Sequence, residues 1–231
     1  MRIFSVCLIF LLLSLFFPLS VVYTHSSIDF PQVSDGQINE AIAKTVPVRF
    51  LPGNSMHFAI SLKESFNRFF RPSSLQKAQF DLVTSGKRLK EAYLLIKKGD
   101  VKNSSKSLNE YAKRMRIFER QIKKARSQNQ DVASFIGKAS DDLKIHEILF
   151  SAIWQEFALK EDAYNYDINF SAALDAFGEV VKALDEIKPG LSDRYNILKK
   201  ISPSPFPSPS ILPSPSVVES TGSVKPRRII Y

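Results

Sequence analysis

Leu75, Leu82, Leu89 and Ile96 stand seven residues apart, with Ala78, Ser85 and Ala92 between them. A side chain that repeats about every 3.5 residues stays on one face of an α-helix, whereas successive odd steps along a strand fall on opposite faces. The stripe therefore commits this segment to a helix whose apolar seam another helix covers. The same steps of three and four continue through Leu108, Tyr111, Met115, Phe118, Ile122 and Ala125, and through Val132, Ile136, Ala139, Leu143, His146, Phe150, Ile153 and Phe157. They return in Phe170, Leu174, Phe177, Val181, Leu184 and Ile187. Such spacing is that of left-handed helix packing.

Turn residues mark the ends. Leu51-Pro-Gly-Asn-Ser55 opens a helix over about 56–70, with Asn54 or Ser55 as N-cap and Ile60, Leu62, Phe66, Phe69 and Phe70 as its apolar face. Arg71-Pro72 interrupts it, Ser73 or Ser74 caps a helix over about 74–98, and Gly99 stops that one from the C′ position. Further helices are expected over about 104–128 and 131–160, and from near Asn169 to Pro189-Gly190. A short segment, 191–201, adds Tyr195, Leu198 and Ile201. No stretch alternates with period two between turn residues, and the short connections at 71–73, 99–103 and 127–130 imply antiparallel neighbours. The expectation is an all-α, antiparallel bundle of five to six helices over 48–201, joined by a linker at 27–47 to what precedes it.

The two ends read differently. Met1 and Arg2 precede an uncharged apolar run, Ile3 to Tyr23, and about 20 apolar residues suffice to cross a bilayer. Its length and the missing A-x-A favour an uncleaved signal anchor; Pro18 near its end favours a cleaved signal peptide, with Thr24-His25-Ser26 as a tolerable site, so residues 1–26 are one or the other. Arg2 before the run, against Asp29, Asp35 and Glu40 after it, leaves the body outside the cytoplasm: single-pass at the cell membrane, or secreted. Cys7, inside the run, reads as a small hydrophobe. From Ser202 to Ser216 prolines alternate with serines, which forbids helix and central strand and predicts an extended, PPII-like disordered stalk, open to O-glycosylation, followed by the basic tail Lys225-Pro-Arg227-Arg228.

Composition argues against chemistry. One cysteine excludes a disulfide framework or a Cys-rich metal module, three histidines leave little for a catalytic metal, and eight glycines accompany no phosphate-binding loop motif. His146 lies on an apolar stripe beside Asp142 and Glu147, without the E-x-x-H partner of di-iron bundles, and reads as a packing histidine. His57 falls in the first turn of its helix, placed to touch a neighbouring loop. Asp141-Asp142 and Glu161-Asp162 are consecutive, so their side chains do not share a helical face. Trp154 reads as a bundle-edge aromatic, and no serine sits in a nucleophile motif. We expect no enzyme, no cofactor and no metal.

The formal charge of +9 hides a split. Lys44 to Arg126 holds twenty cations against six acids, net +14, whereas Asp131 to Lys200 holds eight against thirteen, net −5. On the helix at 104–128, Lys113, Arg116, Arg120, Lys123 and Lys124 lie away from the apolar stripe and form a basic ridge. A solvated face, docking on anionic lipid or phosphate-bearing wall polymer, and pairing with the acidic helices all fit it. Nucleic-acid binding fits the charge but neither the exported address nor any recognition motif. The functional expectation is a non-enzymatic envelope protein with a basic helical face for an anionic partner. The competing expectation is a sensor or accessory subunit whose bundle core binds a small ligand or a partner helix.

One stretch resembles a known family. Phe50-Leu-Pro-Gly-Asn-Ser-Met-His-Phe-Ala-Ile-Ser-Leu-Lys63-Glu64 is followed by Lys77-Ala78, by Lys87-Arg88-Leu89-Lys-Glu91-Ala92 and by Lys98-Gly99-Asp100. This is similar to an uncharacterised helical domain of unknown function in exported bacterial proteins, which opens L-P-G-x-x-x-Y-x-x-K and continues K-A and R-L-x-E-A. The likeness covers about 48–128. His57 or Phe58 stands where that family has Tyr, and Asn54 and Met56 replace small or apolar residues. The resemblance implies an extracytoplasmic helical domain behind a membrane segment, often with a low-complexity tail, and no activity or catalytic residue. Physically the shared residues read as architecture: Pro52-Gly53 makes the entry turn, Lys63 and Glu64 lie on the exposed side of their helix, Ala78 lets a neighbour approach, and Arg88 pairs with Glu91 on the surface.

Overall fold

The computed structural model describes residues 30–157 and 164–199. The apolar run, the stalk, the basic tail, Glu161-Asp162 and Ile201 lie outside the described residues. Among the described residues there are seven α-helices and one 3-10 turn, with no strand: α1 (Asp35–Lys44), α2 (Met56–Phe69), α3 (Ser74–Lys97), α4 (Val101–Ser127), α5 (Val132–Phe157), α6 (Tyr164–Asp185), the turn Ser192–Arg194 and α7 (Asn196–Lys199). None of these helices is long and apolar enough to cross a membrane.

The caps follow from the sequence. Ser73 Oγ accepts from the Gln76 amide at 3.1 Å to start α3, and Gly99, at φ +83°, lets the chain turn out of it. Asp100 then caps α4 by accepting from the Asn103 amide at 3.1 Å. Asn129 takes the left-handed conformation, φ 54°, that reverses the chain after α4, and Gly190 does the same, φ +88°, after α6.

Helices α3 to α6 form the bundle. α3 lies along α4 and against α5, and α4 lies along α6. α4 and α5, although joined by the short turn at 128–131, barely touch by backbone, because α3 and α6 occupy the flanks of α4. The turn thus connects helices across the core and not the lateral neighbours that its length suggested. Every residue of the α4 and α5 stripes is buried, as are Leu82, Leu89 and Ile96 of α3 and Phe170 to Leu184 of the α6 stripe, while Leu75 and Ile187 are half-buried. Phe150 sits at the centre, with ring centroids 5.3 Å from Tyr111, 5.6 Å from Phe170 and 5.8 Å from Phe177, all edge-on as aromatic quadrupoles prefer. Tyr195 closes the C-terminal end against Phe177 at 5.5 Å, and the buried apolar residue beside it is Ile197.

Three further expectations need correction. Residues 27–47 are not only a linker: Ser34 and Gln37 form a reciprocal capping box that starts α1, which buries Ile38 and Ala41 against α5. α4 begins at Val101 and α6 already at Tyr164, earlier than their apolar stripes show. The third correction concerns α2, which is a helix as expected but faces the other way. It buries no residue. Leu62, Phe66, Phe69 and Phe70 are 47%, 56%, 75% and 73% exposed, and Phe58 is 73% exposed, while the polar side is turned to the bundle.

Candidate functional site

The inward face of α2 is built from residues at helical spacing: His57, Ser61, Glu64 and Arg68. It meets a face of α3 that is itself charged. Lys87, Arg88 and Glu91 are buried there, and Asp81 one and a half turns earlier is fully enclosed. Glu64 accepts from Lys87 Nζ and from Arg88 Nη2. Arg88 Nη1 also donates to both oxygens of Glu91, at 3.0 and 2.7 Å, and lies 3.2 Å from His57 Nε2. Arg68 Nε donates to Asp81 at 2.8 and 3.0 Å, and Arg114 of α4 approaches the same carboxylate at 3.3 Å. Glu64 is therefore not on the exposed side of its helix, although Lys63 is, and Arg88 and Glu91 pair in the interior, not on the surface. A guanidinium suits such a hub because its rigid fork serves two carboxylates at once.

Burial holds the His57 imidazole below its ordinary range, with Glu91 pulling the other way and Arg88 and Lys87 adding to the depression. The neutral ring then offers Nε2 as acceptor to Arg88, which fits their 3.2 Å separation.

The turn before α2 completes a cleft. Pro52 is buried, and Gly53, at φ +100°, presses on Asn103 of α4 so closely that a Cβ would stand 3.0 Å from Nδ2. Asn54 Oδ1 accepts from the Met56 amide at 2.9 Å and starts the helix. Between this turn, α2, α3 and α4 lies a cleft of about 590 Å³. Arg88, Glu91, Lys106, Glu110 and Arg114 give it charges of both signs, and Ser55, Ser61, Ser65 and Ser107 give it hydroxyls. Glu110 is engaged by Lys113 at 2.8 Å, Ser65 Oγ donates to the Ser61 carbonyl and Ser107 Oγ to that of Asn103. Its carboxylates thus already carry cations, so the cleft is equipped to recognise a polar group by hydrogen bonds and charge. No group of His, Cys, Asp and Glu that could hold a metal ion occurs among the described residues.

The other histidine is packed. His146 is buried on α5, and Tyr111 Oη lies 3.3 Å from its Nδ1. Burial drives its pKa down to about 3, so the ring is neutral, and the Tyr111 phenol, pushed well up by its own burial, stays a donor. Nε2 faces Gly86 of α3, where any Cβ would come within 2.7 Å. Asp142 lines with it a cavity of about 50 Å³, large enough for a water or two and too small for a metabolite. Asp141 is exposed and holds Arg194 at 2.9 Å, and Trp154 stacks near Phe30 and Phe170 at the bundle edge.

The ridge residues Lys113, Arg116, Arg120, Lys123 and Lys124 all lie exposed on α4. Lys113 is paired with Glu110 and Lys123 with Glu119, the latter at 2.6 Å. Arg116, Arg120 and Lys124 have no carboxylate within 4 Å among the described residues. Its partner Glu119, by hydrogen bond and charge, raises the pKa of Lys123, and Glu186, just past α6, and Glu179 within it add to the rise.

The buried cluster under α2 was not foreseen as a cluster. The signal lay in the L-P-G turn and in the pairs Lys63-Glu64 and Arg88…Glu91. Pro52, Gly53, Glu64, Arg88 and Glu91, which carry the resemblance described above, meet in this one place. In comparisons with known proteins, the chain matches no family model, no curated protein and no solved structure.

Proposed function

We propose that this chain is a non-enzymatic, exported or membrane-anchored protein of a bacterial envelope, and that its helical bundle is an interaction domain presenting a basic face to an anionic partner. The observation that carries this reading is the α4 ridge, where Arg116, Arg120 and Lys124 stand in solvent with no carboxylate within 4 Å among the described residues. Cations held apart from acids on a rigid helix keep their charge available to phosphate. The resemblance to exported helical domains and the apolar N-terminal run support the exported location. Binding of the full chain to a phosphate-bearing wall polymer tests it. Affinity should fall steeply as added salt shortens the screening length, and should be lost when Arg116, Arg120 and Lys124 are all replaced by Glu. Salt-insensitive binding, or binding that survives the triple reversal, would sink the electrostatic reading. Subcellular fractionation with N-terminal sequencing tests the location and separates a retained anchor from a cleaved signal.

A second reading, a sensor or accessory subunit for a polar small ligand, draws on the cleft under α2, whose volume of about 590 Å³ suits a metabolite where the core cavity does not. Its test is a thermal-shift screen of polar metabolites in which a stabilising hit loses its effect in Lys106→Ala.

A further inference from the structure

Of the ten large apolar side chains that stand exposed among the described residues, nine fall between Val46 and Val83, and six of those are on α2 or at its C-terminal cap. Phe58, Leu62, Phe66, Phe69 and Phe70 make this a phenylalanine-rich, convex helix face. Among the described residues nothing covers it, because the polar side of the same helix is consumed by Glu64, Arg68 and His57 in their contacts with α3. An amphipathic helix whose polar side is bonded to its own domain has only its apolar side left for a partner.

The charge around the face selects that partner. From Thr45 to Phe80 the only acid is Glu64, which is turned inward. The exposed charges on this helix and next to its C-terminal cap are Lys63 and Arg71, both positive. A second copy of the chain, packed face to face, would bring these cations together. The uncharged run Ile3–Tyr23 would leave them without a counter-charge. Aromatic side chains with cations at their rim, on a convex helix instead of a groove, are the arrangement of helices that lie in the boundary between headgroups and acyl chains of an anionic bilayer. On the envelope reading the apolar run would also keep a bilayer close, since it ends only seven positions before Phe30, the first described residue.

We propose that the outward face of α2 is a lipid-docking surface, seated by Phe58, Leu62, Phe66, Phe69 and Phe70 in an anionic bilayer, with Lys63 and Arg71 on its phosphates. The inference deepens the envelope reading above and rests on it for the presence of a bilayer; it assigns lipid to α2 and leaves the α4 ridge to a separate contact.

The test uses the full chain with Cys7→Ser and one spin-labelled cysteine, at Phe66→Cys on the face or at the exposed Asp175→Cys on α6 as reference. Each protein is added to vesicles of phosphatidylglycerol with phosphatidylcholine, to phosphatidylcholine alone, or kept in buffer, and vesicle co-sedimentation is checked first. With phosphatidylglycerol, collision of the label at 66 with a water-soluble relaxant should drop several-fold and collision with oxygen should rise, while the label at 175 stays wet. Lys63→Glu with Arg71→Glu should return the label at 66 towards water. A label at 66 that remains wet on co-sedimented protein overturns the docking surface and leaves the envelope reading standing. Equal shielding in buffer overturns it in favour of a second copy or the chain's own apolar run. Equal insertion into phosphatidylcholine alone overturns the anionic requirement. Protein that does not co-sediment with any vesicle removes the membrane from both.

Discussion

Arg88 shows how a single side chain changes meaning between sequence and structure. Its spacing from Glu91 marks an i, i+3 pair, worth only a few tenths of a kcal/mol on a helix surface. Enclosed beneath α2, the same pair becomes part of a desolvated network with Glu64, Lys87 and His57. Removing one partner there strands a buried charge, so Glu91→Gln should destabilise the domain by about 3–5 kcal/mol in urea unfolding. A surface pair would cost a tenth of that, and a loss below about 1 kcal/mol would contradict the buried network. His146 supplies a pH dependence of fixed sign. Its folded pKa, about 3, lies below the ordinary 6.5 that it regains on unfolding. Between those values the unfolded chain binds a proton that the folded one refuses. Stability is whole above about pH 6.5 and falls towards pH 3, by about 1.4 kcal/mol per unit from this group. His57 is shifted in the same direction and adds to the trend, whereas Asp142, raised by burial, opposes it. The difference in acid slope between the native chain and His146→Gln isolates the term: the variant should lose that slope, and parallel curves would rule it out.

At the scale of elements, α3 to α6 could be read from the stripes alone because an apolar seam at this spacing has no use except against another helix. α2 could not. Its amphipathicity is plain in the sequence, but amphipathicity names two faces without saying which one the protein keeps. The decision was made by α3, whose apolar seam is taken by the other bundle helices and whose remaining surface offers Asp81, Lys87, Arg88 and Glu91. A helix arriving on that surface gains by presenting His57, Glu64 and Arg68, and its phenylalanines are left outside. α1 was missed for a different reason. Ten residues with Ile38 and Ala41 as the buried contacts show little periodicity, and the readable signal was the Ser34-x-x-Gln37 box. The contrast has a dynamic consequence. Helices held by a shared apolar core open only with the whole domain, while α2 is held by polar bonds and buries no residue. In native-state hydrogen exchange, amides of α2 should therefore exchange through a local opening well before those of α4 and α5. Exchange of α2 at the global rate would show that the ion pairs alone make it part of the cooperative unit.

At the scale of the molecule, the split in charge and the single core are two consequences of one packing. The basic helix α4 lies along the acidic helix α6, and the basic helix α3 against α5, so the +14 and −5 halves of the sequence interleave in space. After its own partner Glu119, Lys123 also feels Glu186, just past α6, and Glu179 within it, so this end of the ridge borders acidic charge. Beneath the ridge the helices share one interior, and Phe150 of α5 joins three of them: Tyr111 from α4, and Phe170 and Phe177 from α6, pack on its ring, and Phe177 passes the contact on to Tyr195. Truncating such a side chain removes its transfer energy and leaves a void that rigid neighbours cannot close, so Phe150→Ala should cost about 3–5 kcal/mol. Because three helices meet there, the loss should fall on the bundle as a whole. Far-UV and near-UV circular dichroism should still follow one coincident transition at a lower denaturant midpoint, with the slope unchanged. Two separated transitions would instead show that the bundle helices do not form one cooperative unit. In that case the interleaving of charge, more than the aromatic centre, would have to account for their association.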